Sequence, residues 1–171
     1  MKNIELKNIK VHLGLSEETY AYTAVLYVDG KKAVEVSNDG HGGCDYQYSV
    51  NGHSVKEING WCKTNLPKWS LSEAQAGGVV GATEKEFETD LEMWCHHQVN
   101  DHLMLKDLKR TIRSRALFIK NDEGEMMELS FRGVRKYNSS MADVVRKQHP
   151  DAIVLNELPI EKAFEIYKAH G

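Results

Sequence analysis

Thr19-Tyr20-Ala21-Tyr22-Thr23-Ala24-Val25-Leu26-Tyr27-Val28, then Asp29-Gly30, then Lys31-Lys32-Ala33-Val34-Glu35-Val36-Ser37, is the stretch that decides the fold. In an extended chain Tyr20, Tyr22, Ala24, Leu26 and Val28 line one face, and Ala21, Val25 and Tyr27 line the other. Both faces are largely apolar, which predicts a central strand. Asp29-Gly30 tolerates the positive φ angles of a type I′ turn, whose twist suits a hairpin. Val34 and Val36 then return toward the same core. On the N-terminal side Ile4 and Leu6, then Ile9, Val11 and Leu13, alternate with polar residues. The phase slips at Asn8, which predicts a bulge or short break. On the C-terminal side residues 38–44 interrupt the pattern, Tyr46, Tyr48 and Val50 resume it, and Asn51-Gly52 marks a second turn. The expectation is an antiparallel sheet of about four strands.

Beyond Gly52 the apolar period changes. Val55, Ile58, Trp61 and Cys62 fit a short amphipathic helix. Residues 66–81 hold Pro67 and Gly77-Gly78-Val79-Val80-Gly81, which predicts an irregular linker. Thr83 and Glu86 have capping-box spacing, ahead of a helix with Phe87, Leu91, Trp94 and Cys95 inward. A break is expected near Asn100-Asp101, with the helix resuming through Leu105, Leu108 and Ile112. A hairpin follows, from residues 116–119 through a turn at 121–124 to residues 126–131. Ser140 with Asp143 caps a short helix, Ile153-Val154-Leu155 forms a short strand, and Pro159 opens a last helix. The fold class is therefore α+β: an N-terminal antiparallel sheet of about four strands, a central long or broken helix, and a smaller C-terminal β-hairpin with helices. The expected division is a β-rich half with a short helix (1–66), a glycine-rich linker (67–82) and a mixed half (83–171), with one domain overall as the alternative.

Composition narrows the function classes. Lys and Arg total 22 against 25 Asp and Glu, a net charge of -3. That removes the global basic excess of a dedicated nucleic-acid binder. Nothing reaches ~18 consecutive apolar residues, so no membrane span is expected. The start, Met1-Lys2-Asn3-Ile4-Glu5-Leu6-Lys7, has no apolar leader core. Three cysteines at irregular spacing do not make a disulfide framework, and the expected location is the bacterial cytoplasm.

Four features carry candidate chemistry. The loop Asn38-Asp39-Gly40-His41-Gly42-Gly43 could present amides to an anion, or could simply be a wide β-connection. It is neither a Walker loop, because no Lys-Ser/Thr follows the glycines, nor a dinucleotide fingerprint, because a strand follows it. Second, His41 and Cys44 with Cys95 and His97 offer nitrogen and sulfur donors for zinc, and His97 pairs with Asp101 at i, i+4. No repeated donor pair supports that site, and no cofactor is expected. Cys44 near His41 is also the one nucleophile–base pair in the chain, with no third member. Third, Lys106, Arg110 and Arg113 share one helix face and could touch a phosphate backbone, although helix dipoles alone favour bases at a C-terminus. Fourth, the tyrosines are read chiefly as core or sheet-face residues. Tyr46 and Tyr48 double as possible partner anchors.

Leu15-Ser16-Glu17-Glu18-Thr19, Leu26-Tyr27-Val28-Asp29-Gly30-Lys31-Lys32 and Val36-Ser37-Asn38-Asp39-Gly40-His41-Gly42-Gly43 together resemble the opening of a family of small phage and prophage proteins. Ala116-Leu117-Phe118-Ile119 and Asn156-Glu157 are similar to its second half. The resemblance is strong over residues 4–50 and loose beyond. Some proteins of this look are identified as anti-CRISPR inhibitors that block the RNA-guided DNA endonuclease of type II systems. The resemblance implies a counter-defence protein that binds a host nuclease complex stoichiometrically; the absence of a catalytic constellation among the residues adds the expectation that it is not an enzyme. It carries over no functional residues beyond the shared loop, residues 38–43. The alternatives are a sponge for a nucleotide signal, using that loop with Tyr46 and Tyr48, and a nucleic-acid-binding protein. A cysteine or zinc enzyme ranks last, and edge strands leave the oligomeric state open.

Overall fold

The computed structural model describes residues 1–70, 86–120 and 124–170. The fold is α+β. Four strands form an antiparallel sheet in chain order: β1 (Ile4–Val11), β2 (Tyr22–Val28), β3 (Lys31–Asn38) and β4 (Tyr46–Ser49). β2 is central, as its two apolar faces predict. Asn8 takes a φ of 56°, and the β1–β2 register shifts between Lys7 and Lys10. The slip read at Asn8 is thus a bulge. Asp29 and Gly30 have φ of 47° and 79°, the paired positive values of a type I′ turn, and Asn51 and Gly52 repeat them at 55° and 78°. Leu13, expected to extend the first strand, instead lies in a single 3₁₀ turn, Leu13–Leu15.

Helix α1 (Val55–Asn65) starts where Ser54 accepts the Glu57 N–H, and it buries Ile58 and Cys62. Strands β5 (Trp69–Ser70) and β6 (Glu86–Phe87) pair, with Trp69 stacked on Phe87. Phe87 was expected inside the central helix. Helix α2 (Leu91–Ser114) starts later, where the Asp90 carboxylate accepts the Met93 N–H. Thr83, its expected capping residue, and most of the expected linker lie outside the described residues. The expected break at Asn100-Asp101 is absent, because α2 is one continuous helix.

The chain forms two compact units, Met1–Asn100 and Asp101–Gly171. Their boundary falls inside α2 rather than in the glycine-containing stretch 67–82. The first unit has one core. Tyr22, Ala24, Leu26, Val34 and Val36 from the sheet meet Ile58 and Cys62 from α1 and Leu91, Cys95 and Val99 from α2. Burying the leucine, isoleucine and valine side chains among them contributes roughly 1.5–3 kcal/mol each.

The second unit is organised by β7 (Ala116–Ile119), the middle strand between β8 (Met126–Leu129) and β9 (Ile153–Val154). All four β7 residues are buried. Strand alternation sends Ala116 and Phe118 to one cluster, with Met141, Ala142 and Val145 of α3 (Ser139–Gln148). Leu117 and Ile119 go to another, with Leu108 and with Ala163 of α4 (Ile160–His170). Asn156 accepts the Leu117 N–H and donates to the Ile112 and Arg115 carbonyls, closing the irregular backbone between α2 and β7. Among the described residues no helix is long and apolar enough to cross a membrane.

Candidate functional site

The glycine loop folds around its own backbone. Asn38 is buried and uses its amide group in full. Its Oδ1 accepts from Thr19 Oγ1 at 2.9 Å and from Gly40 N at 2.8 Å. Its Nδ2 donates to Gly43 O at 2.9 Å and to Asp45 Oδ1 at 3.1 Å. The His41 amide donates to Asp39, and the Gly42 amide to Thr19. The Gly40 carbonyl accepts from Glu17, Glu18 and Thr19 amides at 3.0, 3.0 and 3.3 Å. Gly40 has a φ of 92°, and a Cβ there would collide with the Leu15 carbonyl, so glycine is required. Three of the loop amides that were candidates for an anion are therefore bonded within the chain.

This locked loop holds the 3₁₀ turn beside it. Ser16 Oγ donates to His12 O and accepts the Ala21 amide. Leu13 and Leu15 consequently stand 63% and 62% exposed on a braced turn. On the strand after the loop Tyr46 and Tyr48 are 51% and 62% exposed, although core packing was their main expectation. β4 is an edge strand, and their side chains extend from its uncovered face. Tyr46 donates to Asp39. Exposed Glu17 pairs with His41 at 3.1 Å, which raises the His41 imidazole above its ordinary value.

A second assembly lies just past the loop. The Asp45 carboxylate is wholly buried. It accepts from Tyr22 Oη and Asn38 Nδ2, and its Oδ1 faces His96 Nε2 at 3.1 Å. The Asp45 amide donates to Glu92 Oε1 at 3.1 Å. Glu92 and His96 are four residues apart on α2 and share a face. Ligand atoms of Asp45, Glu92 and His96 all lie within 4.8 Å of one another. The hydrogen bond to Asp45 raises the His96 imidazole, against the opposing effect of burial. Burial, reinforced by Asp45, keeps the Tyr22 phenol protonated far beyond its usual range. His96 and Tyr22 open onto a groove of about 750 Å³ that Leu13, Glu17, Glu18, Tyr20, Met93 and Val99 also line.

The donors proposed for zinc are not brought together. Cys95 is buried in the core and Cys44 is exposed. His41 pairs with Glu17 and belongs, like Cys44, Cys95 and His97, to no donor cluster among the described residues. The cluster that does form uses His96 instead of His97. Leu91, Cys95 and Val99 set the buried phase of α2. One residue past Cys95 points to the edge of the core, and two residues past points outward. The Glu92–His96 spacing was the available signal; Asp45 offered none. In the second unit Lys106, Arg110 and Arg113 are all exposed, and Arg110 pairs with Asp107.

Compared with known proteins, the chain matches no family model, no curated protein and no solved structure.

Proposed function

We propose that the chain works by stoichiometric binding to a protein partner, and that the partner is a type II RNA-guided nuclease of a bacterial host. The carrying observation is the surface around the locked loop. Leu13 and Leu15 stand on the 3₁₀ turn bonded to the loop, Tyr46 and Tyr48 on the strand that follows it, and each is more than half exposed. Large apolar anchors on a braced backbone bind with little ordering cost, which is how interface hot spots work. The turn and the loop carry exposed Glu17, Glu18 and Asp39 against His41, so their charge is net negative at neutral pH. An RNA-guided nuclease holds its heteroduplex in a positively charged channel, a complementary surface for acidic residues flanked by apolar anchors. The resemblance of residues 4–50 to phage proteins that include type II inhibitors supports the same partner. The inward-turned amides of the loop remove the main support for a nucleotide sponge.

The test is binding of the purified chain to a purified type II effector loaded with guide RNA, followed by biolayer interferometry. Wild type is expected to bind. Leu15→Asp should weaken binding at least about tenfold, the effect of losing a hot-spot anchor, with an unchanged circular dichroism spectrum. Equal binding by the variant would remove this surface, and no binding by wild type to effectors of any type II subtype would remove the partner.

A further inference from the structure

Asp45, Glu92 and His96 form a donor set that the binding surface does not use. We propose that these three side chains bind one divalent transition-metal ion, of the manganese, iron or zinc class, at the wall of the groove.

Three observations converge. The first is geometric: one ligand atom from each residue lies within 4.8 Å of the other two, a spread that a single ion can close with small side-chain movements. His96 Nε2 is already aimed at Asp45 Oδ1 at 3.1 Å, so a cation there takes the place of the shared proton. The second is charge. The Asp45 carboxylate is wholly buried and Glu92 is half-buried beside it. Among the described residues neither is ion-paired with Lys or Arg, and one imidazolium balances only one of two carboxylates. Uncompensated negative charge in a site of this kind is costly, and a divalent cation removes the cost. The third is support and access. Tyr22 and Asn38 hold the Asp45 carboxylate in orientation, as the outer partners of a metal ligand do. His96 reaches the groove, so water or a ligand donor atom can complete the coordination. Two carboxylates and an imidazole suit manganese, iron or zinc better than calcium, which takes oxygen donors only. The set contains no thiolate, unlike the cysteine–histidine site read from sequence.

The full-length chain, stripped with chelator and dialysed, should be titrated with Mn²⁺ and followed by electron paramagnetic resonance and by thermal melting. Mn²⁺ is the probe because thiols compete for it weakly. One equivalent is expected to bind and to raise the melting temperature. Glu92→Gln keeps an oxygen to accept the Asp45 amide and removes one of the two carboxylate charges, so its metal-free melting temperature should equal or exceed that of wild type. Its Mn²⁺ affinity should fall by about tenfold or more. Zn²⁺ titrated into Cys44→Ser should show the same single site and the same dependence on Glu92. Absence of saturable binding of both ions up to about 1 mM would overturn the proposal. So would a loss smaller than tenfold in Glu92→Gln.

Discussion

Residues 38–43 and Asp45 are neighbours in sequence and opposites in construction. The loop is the most conspicuous feature of the chain, and its chemistry points inward: the Gly40, His41 and Gly42 amides and the whole Asn38 amide group are used within the molecule. Asp45, an unremarked residue two positions on, gathers Tyr22, Asn38, His96 and Glu92 around itself. The difference teaches that glycines report what the backbone must do, whereas reactive groups meet through side chains distant in sequence. The two regions join at Asn38, which bonds to both.

The contrast can be broken most sharply at Gly40. Gly40→Ala combines a positive φ with a collision against the Leu15 carbonyl, and should destabilise by roughly 3 kcal/mol or more in urea unfolding. A near-neutral result would mean that the loop is not locked. Asn38→Ala comes next. It strands Thr19, the Gly40 amide and the Gly43 carbonyl and removes one donor from buried Asp45, for an expected loss of roughly 2–3 kcal/mol.

The core beneath both regions supplies a pH-dependent effect. Burial pushes the Cys62 thiol up to about 11. The unfolded thiol ionises near its ordinary value of about 8.5 while the native thiol stays protonated. Stability is therefore fully present below that value and declines as pH rises toward 11, by no more than about 3 kcal/mol. Cys62→Ala, compared with wild type across that range, should make the decline shallower without removing it, because burial raises the Cys95 thiol as well. At the small end, a Cβ on Gly43 meets nothing, so Gly43→Ala should shift stability by less than about 0.5 kcal/mol.

The sheet was legible because its signals are local. Asp29-Gly30, Asn51-Gly52 and the slip at Asn8 each declare a backbone conformation within a few residues. The start of α2 was misread because Phe87 continues an apolar pattern that actually belongs to a strand, and Asp90 is hidden among other acids as the true cap. Asn100-Asp101 looked like a break on propensity, but Val99 and Leu108 anchor the helix on either side of it, and packing outweighs propensity. The exposed tyrosines were misjudged because alternation identifies a strand without telling which face is covered. The site itself required knowing that the peptide after the loop returns to α2, 47 residues ahead. No local pattern in the chain encodes that return.

The central claim is stoichiometric binding, and its most direct test is a titration of guide-loaded type II effector nuclease at a concentration well above the dissociation constant, with cleavage of a plasmid target as readout. Stoichiometric binding predicts that activity falls linearly with added protein and reaches its floor at a fixed whole-number ratio, regardless of incubation time. Progressive loss at substoichiometric ratios that deepens with time would show turnover, and unchanged cleavage at every ratio would show that this nuclease is not the partner.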